Sequence, residues 1–232
     1  MRKFGILFAA AASIVVASPA AAQLIEPTVK DRPAAPALTD TENHWILDLS
    51  TGGRVTIALR PDVAPKHVER IKTLTRQKFY DGLTFHRVLD TGVPMAQGGD
   101  PKGDGTGQST LPDVEAEFNW MPHVRGAVAA ARSGAPDGAP EEVKKAAENS
   151  ANSQFFIMFQ PMLSLDKKYT VFGRVISGMQ YVDAIPRGEP PANPARIVHA
   201  YIGSDNPPAF VAPAPTAPTL PAGETEVKLP GS

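Results

Sequence analysis

Few residues of this 232-residue chain have side chains suited to covalent or metal chemistry. Cysteine is absent, which removes disulfides, thiol nucleophiles and cysteine-ligated zinc together. The five histidines, His44, His67, His86, His123 and His199, include no i, i+4 pair, so no helical face offers two imidazoles to one ion. No metal and no cofactor are expected. The stretch Gly98-Gly99-Asp100-Pro101-Lys102-Gly103-Asp104-Gly105 has the glycine content of a phosphate or calcium loop. It lacks both Gly-Lys-Ser/Thr and the closing glutamate of a calcium hand, so it reads as a turn-rich loop. What remains is hydrogen-bond chemistry. Arg87 stands in Phe85-His86-Arg87 and Gln97 in Met95-Ala96-Gln97-Gly98-Gly99-Asp100. Neither side chain titrates between about pH 6 and 8.

Such groups act only if a rigid framework aims them. Composition is that of a globular protein, 42% hydrophobic and 20% charged, and a net charge of −1 gives no basic surface for nucleic acid. Arg2 and Lys3, the apolar run Phe4 to Ala17 and Ala20-x-Ala22 predict a cleavable export signal over residues 1–22. The run is shorter than the ~20 residues needed to span a bilayer, so no stable membrane anchor is expected. A flexible segment rich in proline, alanine and charge is predicted over 23–42, and a disordered Pro/Ala-rich tail over 205–232.

One domain, 43–204, lies between them. His44 to Leu49 and Arg54 to Leu59 alternate around Thr51-Gly52-Gly53 and predict a hairpin. Val68, Ile71 and Leu74 recur at helical spacing within Asp62 to Gln77, with Pro65 in the first turn. Six further apolar segments read as strands: Thr84–Leu89, Met95–Gly98, Gly126–Ala130, Gln154–Phe159, Thr170–Val175 and Arg196–Ile202. A second helix is predicted over Met179–Ile185. Within the insertion 134–149, Glu141 to Glu148 reads as a short surface helix. Eight strands and two helices predict a mainly β fold: a closed eight-stranded antiparallel β-barrel capped by two α-helices.

The blocks Phe85-His86-Arg87, Met95 to Asp100, Gly105-Thr106-Gly107, Ser153-Gln154-Phe155-Phe156-Ile157 and Thr170-Val171-Phe172-Gly173-Arg174-Val175 occur in an order that resembles the cyclophilins. The resemblance runs from about Asn43 to Gly203 and implies peptidyl-prolyl cis-trans isomerase activity. Rotation about an Xaa-Pro amide faces a barrier near ~20 kcal/mol, because the nitrogen lone pair is delocalised into the carbonyl. Twisting localises that pair, so a donor to the nitrogen and an apolar grip on the ring suffice for catalysis.

The resemblance assigns Arg87 as the catalytic guanidinium and Gln97 as its support and a donor to the substrate backbone. Met95, Phe156 and Leu165 form the proline pocket, with Tyr169 at its rim. Ala131, Arg132 and Gln154 match the groove for residues before the proline. His86 is expected to be a buried, hydrogen-bonded neighbour of the site. Period-2 alternation independently puts Phe155 and Ile157 on the face opposite Phe156.

Two departures stand out. The loop between Arg87 and Met95 is two residues longer than in many members, with Pro94 where the family has a pocket phenylalanine. Ser164 stands where cyclosporin-sensitive members have tryptophan. The expected substrates are proline-containing polypeptides, the expected site of action is the periplasm, and the expected state is a monomer. The alternative is a peptide-binding chaperone of the same fold with weak or no turnover.

Overall fold

The computed structural model describes residues 34–211. The predicted export signal, most of the 23–42 segment and the Pro/Ala-rich tail beyond 211 lie outside the described residues.

Strands β1 (His44–Leu49) and β2 (Gly53–Leu59) form the predicted hairpin, Leu49 facing Gly53 across the turn. In β2, Val55, Ile57 and Leu59 are buried while Arg54, Thr56 and Ala58 are half-buried, the alternation expected of a strand with one face on a core. Helix α1 (Pro65–Arg76) starts at its proline and packs Val68, Ile71 and Leu74 inward. Its own N-cap, Ala64, offers no side-chain acceptor. The Glu117 carboxylate caps it from a distant loop, accepting the backbone N–H groups of Lys66 and His67 at 3.0 Å each.

The remaining strands are β3 (Arg87–Leu89), β4 (Met95–Gly98), β5 (Ala127–Ala130), β6 (Phe155–Met158), β7 (Val171–Ser177) and β8 (Ile197–Ile202). They and the hairpin form one antiparallel sheet in the order β3-β4-β6-β5-β7-β2-β1-β8. Helix α2 (Glu141–Glu148) is the predicted surface helix, burying only Ala147, and α3 (Met179–Asp183) is the second predicted helix, ending two residues early.

The predicted closed barrel is not formed. The sheet is a curled half-barrel, open between β3 and β8. The segment before β3 meets the start of β8 through the Thr84–Arg196 bridge and three backbone bonds, Gly82 N–H to the Ile197 carbonyl, Ile197 N–H to Leu83 and Phe85 N–H to Ala195, at 2.7, 2.8 and 2.9 Å, without forming a paired strand. The predicted strand Thr84–Leu89 keeps only its last three residues. Pro190, Pro191 and Pro194 lead into β8 and supply no N–H to pair with it.

The concave side holds the main core. Trp45, Tyr80, Phe85, Phe155 and Phe172 meet there, with Trp45 and Phe155 edge to face at 4.8 Å. The buried Tyr80 hydroxyl donates to the Ser153 carbonyl at 3.1 Å. A second cluster, Met95, Met121, Ala127, Ala129, Phe156, Met158 and Val171, lies on the other face of the same strands.

The ends of the domain are tied together. Glu42 pairs with Lys72 and Arg76 at 3.0 Å each and accepts from the Ser204 hydroxyl at 2.5 Å. Arg76 also reaches Asp205 at 3.0 Å, and Arg54, held bidentately by Asp48, donates to the Pro208 carbonyl at 2.8 Å. Glu42, Asp205 and Pro208 sit just outside the expected limits of 43 and 204.

Candidate active site

Antiparallel register assembles the site. Arg87 of β3 faces Gln97 of β4, Gln97 faces Phe156 of β6, and Phe156 faces Ala129 of β5. Four neighbouring strands thus present one transverse row on one face of the sheet. Phe155 and Ile157, one residue either side of Phe156, point into the main core. Register depends on the loop after β4. Gly99 there has φ +86°, and a Cβ would collide with the Ser153 carbonyl oxygen just before β6.

The row borders a cavity of about 160 Å³. Phe156, Met95 and Leu165 supply apolar wall, Arg87 and Gln97 line it beside them, and Ala131, Arg132 and Tyr169 complete the lining. Tyr169 meets Phe156 edge to face at 5.6 Å, and the Arg132 guanidinium lies 4.8 Å from the Tyr169 ring. Eight sequence-predicted residues therefore share one hollow. Gln154 lies next door. It accepts from Gln97 Nε2 at 2.8 Å and donates to the Gly105 and Gly107 carbonyls at 3.0 and 2.8 Å. With Ala131, Arg132 and Gln97 it lines a second cavity of about 220 Å³.

Three details differ from expectation. Val93 lines the proline-sized cavity, whereas Pro94 holds the chain in place by accepting from Phe159 N–H at 2.9 Å. The longer loop thereby replaces a missing aromatic wall with a valine. His86 is buried, but neither ring nitrogen has a hydrogen-bond partner among the described residues. Nearby Asp100 is occupied by the backbone N–H groups of Lys102, Asp104 and Gly105 at 2.7, 3.1 and 2.6 Å. Burial holds the His86 imidazole below the ordinary histidine range. Finally, the group beside Arg87 is Glu189, whose Oε1 lies 2.8 Å from Nε, off the line of a hydrogen bond.

Sequence reasoning missed a support beneath the pocket. His123, fully buried, stacks on Phe156 with ring centres 6.0 Å apart, and its Nδ1 and backbone N each lie 2.8 Å from Asp166 Oδ1. Met162 N–H donates to the His123 carbonyl at 2.7 Å. This fixes both ends of the 3-10 turn Leu163–Leu165, which carries Leu165 to the cavity and leaves Ser164 exposed. Burial depresses the His123 pKa, opposed by Asp166. Forty-three residues separate the pair, so no local spacing announces it.

A family model described as cyclophilin-type peptidyl-prolyl cis-trans isomerase/CLD matches residues 46–202. The chain belongs to the cyclophilins. It is 46% identical over 182 residues to a probable peptidyl-prolyl cis-trans isomerase of Brucella suis biovar 1 (strain 1330), covering 72% of this chain and 85% of the relative. It is 36% identical over 142 residues to peptidyl-prolyl cis-trans isomerase B of Bacillus subtilis (strain 168), covering 61% and 89%. Among solved structures, a cyclophilin from Hirschia baltica superposes with a TM-score of 0.62 at 28% identity, over 73% of this chain and 77% of that one. The activity of this cyclophilin is prolyl isomerisation, and the chaperone without turnover is the less favoured reading.

Proposed function

We propose that this cyclophilin isomerises Xaa-Pro bonds of exported polypeptides in the periplasm, with Arg87 as its catalytic residue and no cofactor. The observation that carries the catalytic part is the row Arg87–Gln97–Phe156 beside an apolar cavity of about 160 Å³. A pyrrolidine ring seated on Met95, Phe156 and Leu165 puts its amide next to Arg87. As the bond twists, the guanidinium donates to the nitrogen lone pair, or to the neighbouring carbonyl. The transition state thus gains a charge-assisted hydrogen bond that the planar amide does not offer. Gln97, tied to Gln154, orients the chain before the proline along Ala131 and Arg132. No proton changes hands.

The export part is supported by the charged start, apolar run and Ala20-x-Ala22. Monomeric action is proposed for the same unit. Its working limits are proposed to be about residues 40–208, because Glu42, Asp205 and Pro208 all hold the folded body.

A protease-coupled prolyl-peptide assay on the secreted protein tests the catalytic reading. Arg87→Ala is expected to lose at least about tenfold in kcat/KM (over ~1.4 kcal/mol) at an unchanged melting temperature. Wild-type turnover by this variant overturns the assignment. Cell fractionation with N-terminal sequencing tests export: a periplasmic chain beginning at Gln23 is expected, and a cytoplasmic chain retaining Met1 defeats it.

A further inference from the structure

Arg87 and Gln97, which line the proline cavity, also line a distinct hollow of about 280 Å³. Its lining includes His86, Asp104, Gly105 and Glu189 as well as Arg87 and Gln97. We propose that this hollow is a specificity subsite for a cationic side chain, lysine or arginine, flanking the substrate proline. The proposal rests on the isomerase reading and names the substrate class that reading leaves open.

The charges favour a cation. Asp104 and Glu189 are both exposed carboxylates. Asp104 uses one oxygen, Oδ1, on the Thr106 N–H and hydroxyl at 2.8 and 2.7 Å. Its other oxygen accepts no hydrogen bond among the described residues. Those same bonds hold the Asp104 carboxyl below its ordinary value, so it stays charged at neutral pH. Glu189 sits 2.8 Å from Arg87 Nε and offsets that charge, leaving the hollow one negative charge in excess. Lys102 lies outside the lining, its Nζ 3.4 Å from the Thr106 hydroxyl, and offsets part of the Asp104 charge from that side.

His86 is the second, independent sign. The residue is 5% exposed and lines the hollow, and neither ring nitrogen has a hydrogen-bond partner among the described residues. Gly105 passes over it at φ +89°, where an added Cβ would stand 3.9 Å from Cδ2 and 4.0 Å from Nε2. A buried polar ring without a partner is costly unless something completes it. A neutral imidazole adds no opposing charge, and a small turn of the ring brings one of its sealed nitrogens to an ammonium or guanidinium as an acceptor. The three acceptors then suit a donor-only cationic head. An acidic side chain would instead meet two carboxylates.

The test is a matched set of Xaa-Pro peptides carrying lysine, alanine or glutamate at each residue flanking the proline in turn, assayed with the full chain at low salt. At one of the two positions the lysine peptide is expected to exceed the glutamate peptide in kcat/KM by about five- to tenfold, the ratio shrinking toward one at high salt. Asp104→Asn should reduce the ratio, and Asp104→Asn with Glu189→Gln should bring it within about twofold of one. The ratio cancels any loss common to all three peptides, including one from loosening Arg87. A ratio of one in the unaltered protein, or a preference for glutamate, overturns the subsite while alanine-peptide turnover leaves the isomerase reading standing. No turnover of any peptide overturns both.

Discussion

The two faces of β6 are built from adjacent residues and do different work. Phe155 and Ile157 enter a core of aromatic and branched side chains, with Trp45, Tyr80 and Phe85 locked ring against ring. Phe156 and Met158 join a cluster in which methionine dominates: Met95, Met121 and Met158, with Met162 packed beside them, are four of the chain's six methionines. Rigid rings fill a sealed interior at crystal-like density. Unbranched thioether side chains adapt to what arrives. The same two-residue repeat thus separates the part that must not move from the part that must accept many peptide sequences.

Swapping the two phenylalanines for alanine tests this contrast most strongly. Phe155→Ala is expected to cost about 3–5 kcal/mol of stability, with activity falling only as the folded fraction falls. Phe156→Ala opens a cavity that already exists, so about 2 kcal/mol is expected, together with a loss of at least about tenfold in kcat/KM by the folded protein. Denaturant melts alongside peptide assays decide it. If both variants lose stability and folded-state turnover to the same degree, the contrast between the faces fails.

The next effect in size concerns the rim of the adaptable face. Ser164 is exposed on the turn that delivers Leu165. Cyclosporin is expected to inhibit about 30- to 1,000-fold less well than it does members with tryptophan there, as a hydrogen bond and an aromatic contact worth roughly 2–4 kcal/mol are lost. Ser164→Trp should restore sensitivity. Nanomolar inhibition of the unaltered protein would show that the residue does not face the drug.

Sequence made one of these faces legible and half of the other. Period-2 alternation needs no tertiary information, which is why Phe156 separates from Phe155 on paper. The blocks around Arg87, Gln97 and Gln154 carry their neighbours with them, so the hollow containing Arg87, Met95, Ala131 and Tyr169 is foreseeable. Contacts across the chain are not. Glu189 beside Arg87, and Asp166 beneath His123, belong to loops whose paths depend on the whole sheet. Val93 escaped because alignment by type put Pro94 at the wall, whereas a two-residue insertion changes which side chain turns inward. The two ends of the sheet meet only around Thr84 and Arg196, so the expected closure stays a single bridge with flanking bonds.

A smaller effect belongs to neither face. The Ser204 hydroxyl, with Lys72 and Arg76, holds the Glu42 carboxyl down to about 2 from its ordinary 4.5. A depressed carboxyl stabilises the fold fully above about pH 4.5, and that contribution disappears as pH falls through 2. Glu42 and Arg76 are close to half exposed, so after screening about 1 kcal/mol is expected. Melting of the 40–208 fragment against 43–204 across pH 2–7 should show the longer fragment ahead at neutrality and the gap closing in acid, with turnover per folded molecule unchanged. A gap that persists at pH 2 assigns the tie to packing instead.

The smallest expected effect is on catalysis itself. The proposed mechanism moves no proton, and burial holds His86 below its ordinary range, so kcat/KM is expected to stay nearly constant from about pH 6 to 8 and to be indifferent to chelators. A steep bell there, or loss to chelator that added metal restores, would sink a mechanism without proton transfer.

Strand β3 ends the sheet, and a strand with an unpaired side is an invitation to any extended polypeptide. An enzyme whose substrates are unfolded chains meets such guests constantly. Here the invitation is withdrawn: Val88 N–H donates to the Gly188 carbonyl at 2.8 Å, and Gly188 N–H returns the bond to Val88 at 2.9 Å. The connection from α3 to β8 is thus laid along the outer border of the strand that bears Arg87. Clients are left to bind by the proline cavity and its flanks and let go again, instead of zipping onto the sheet as an extra strand and staying.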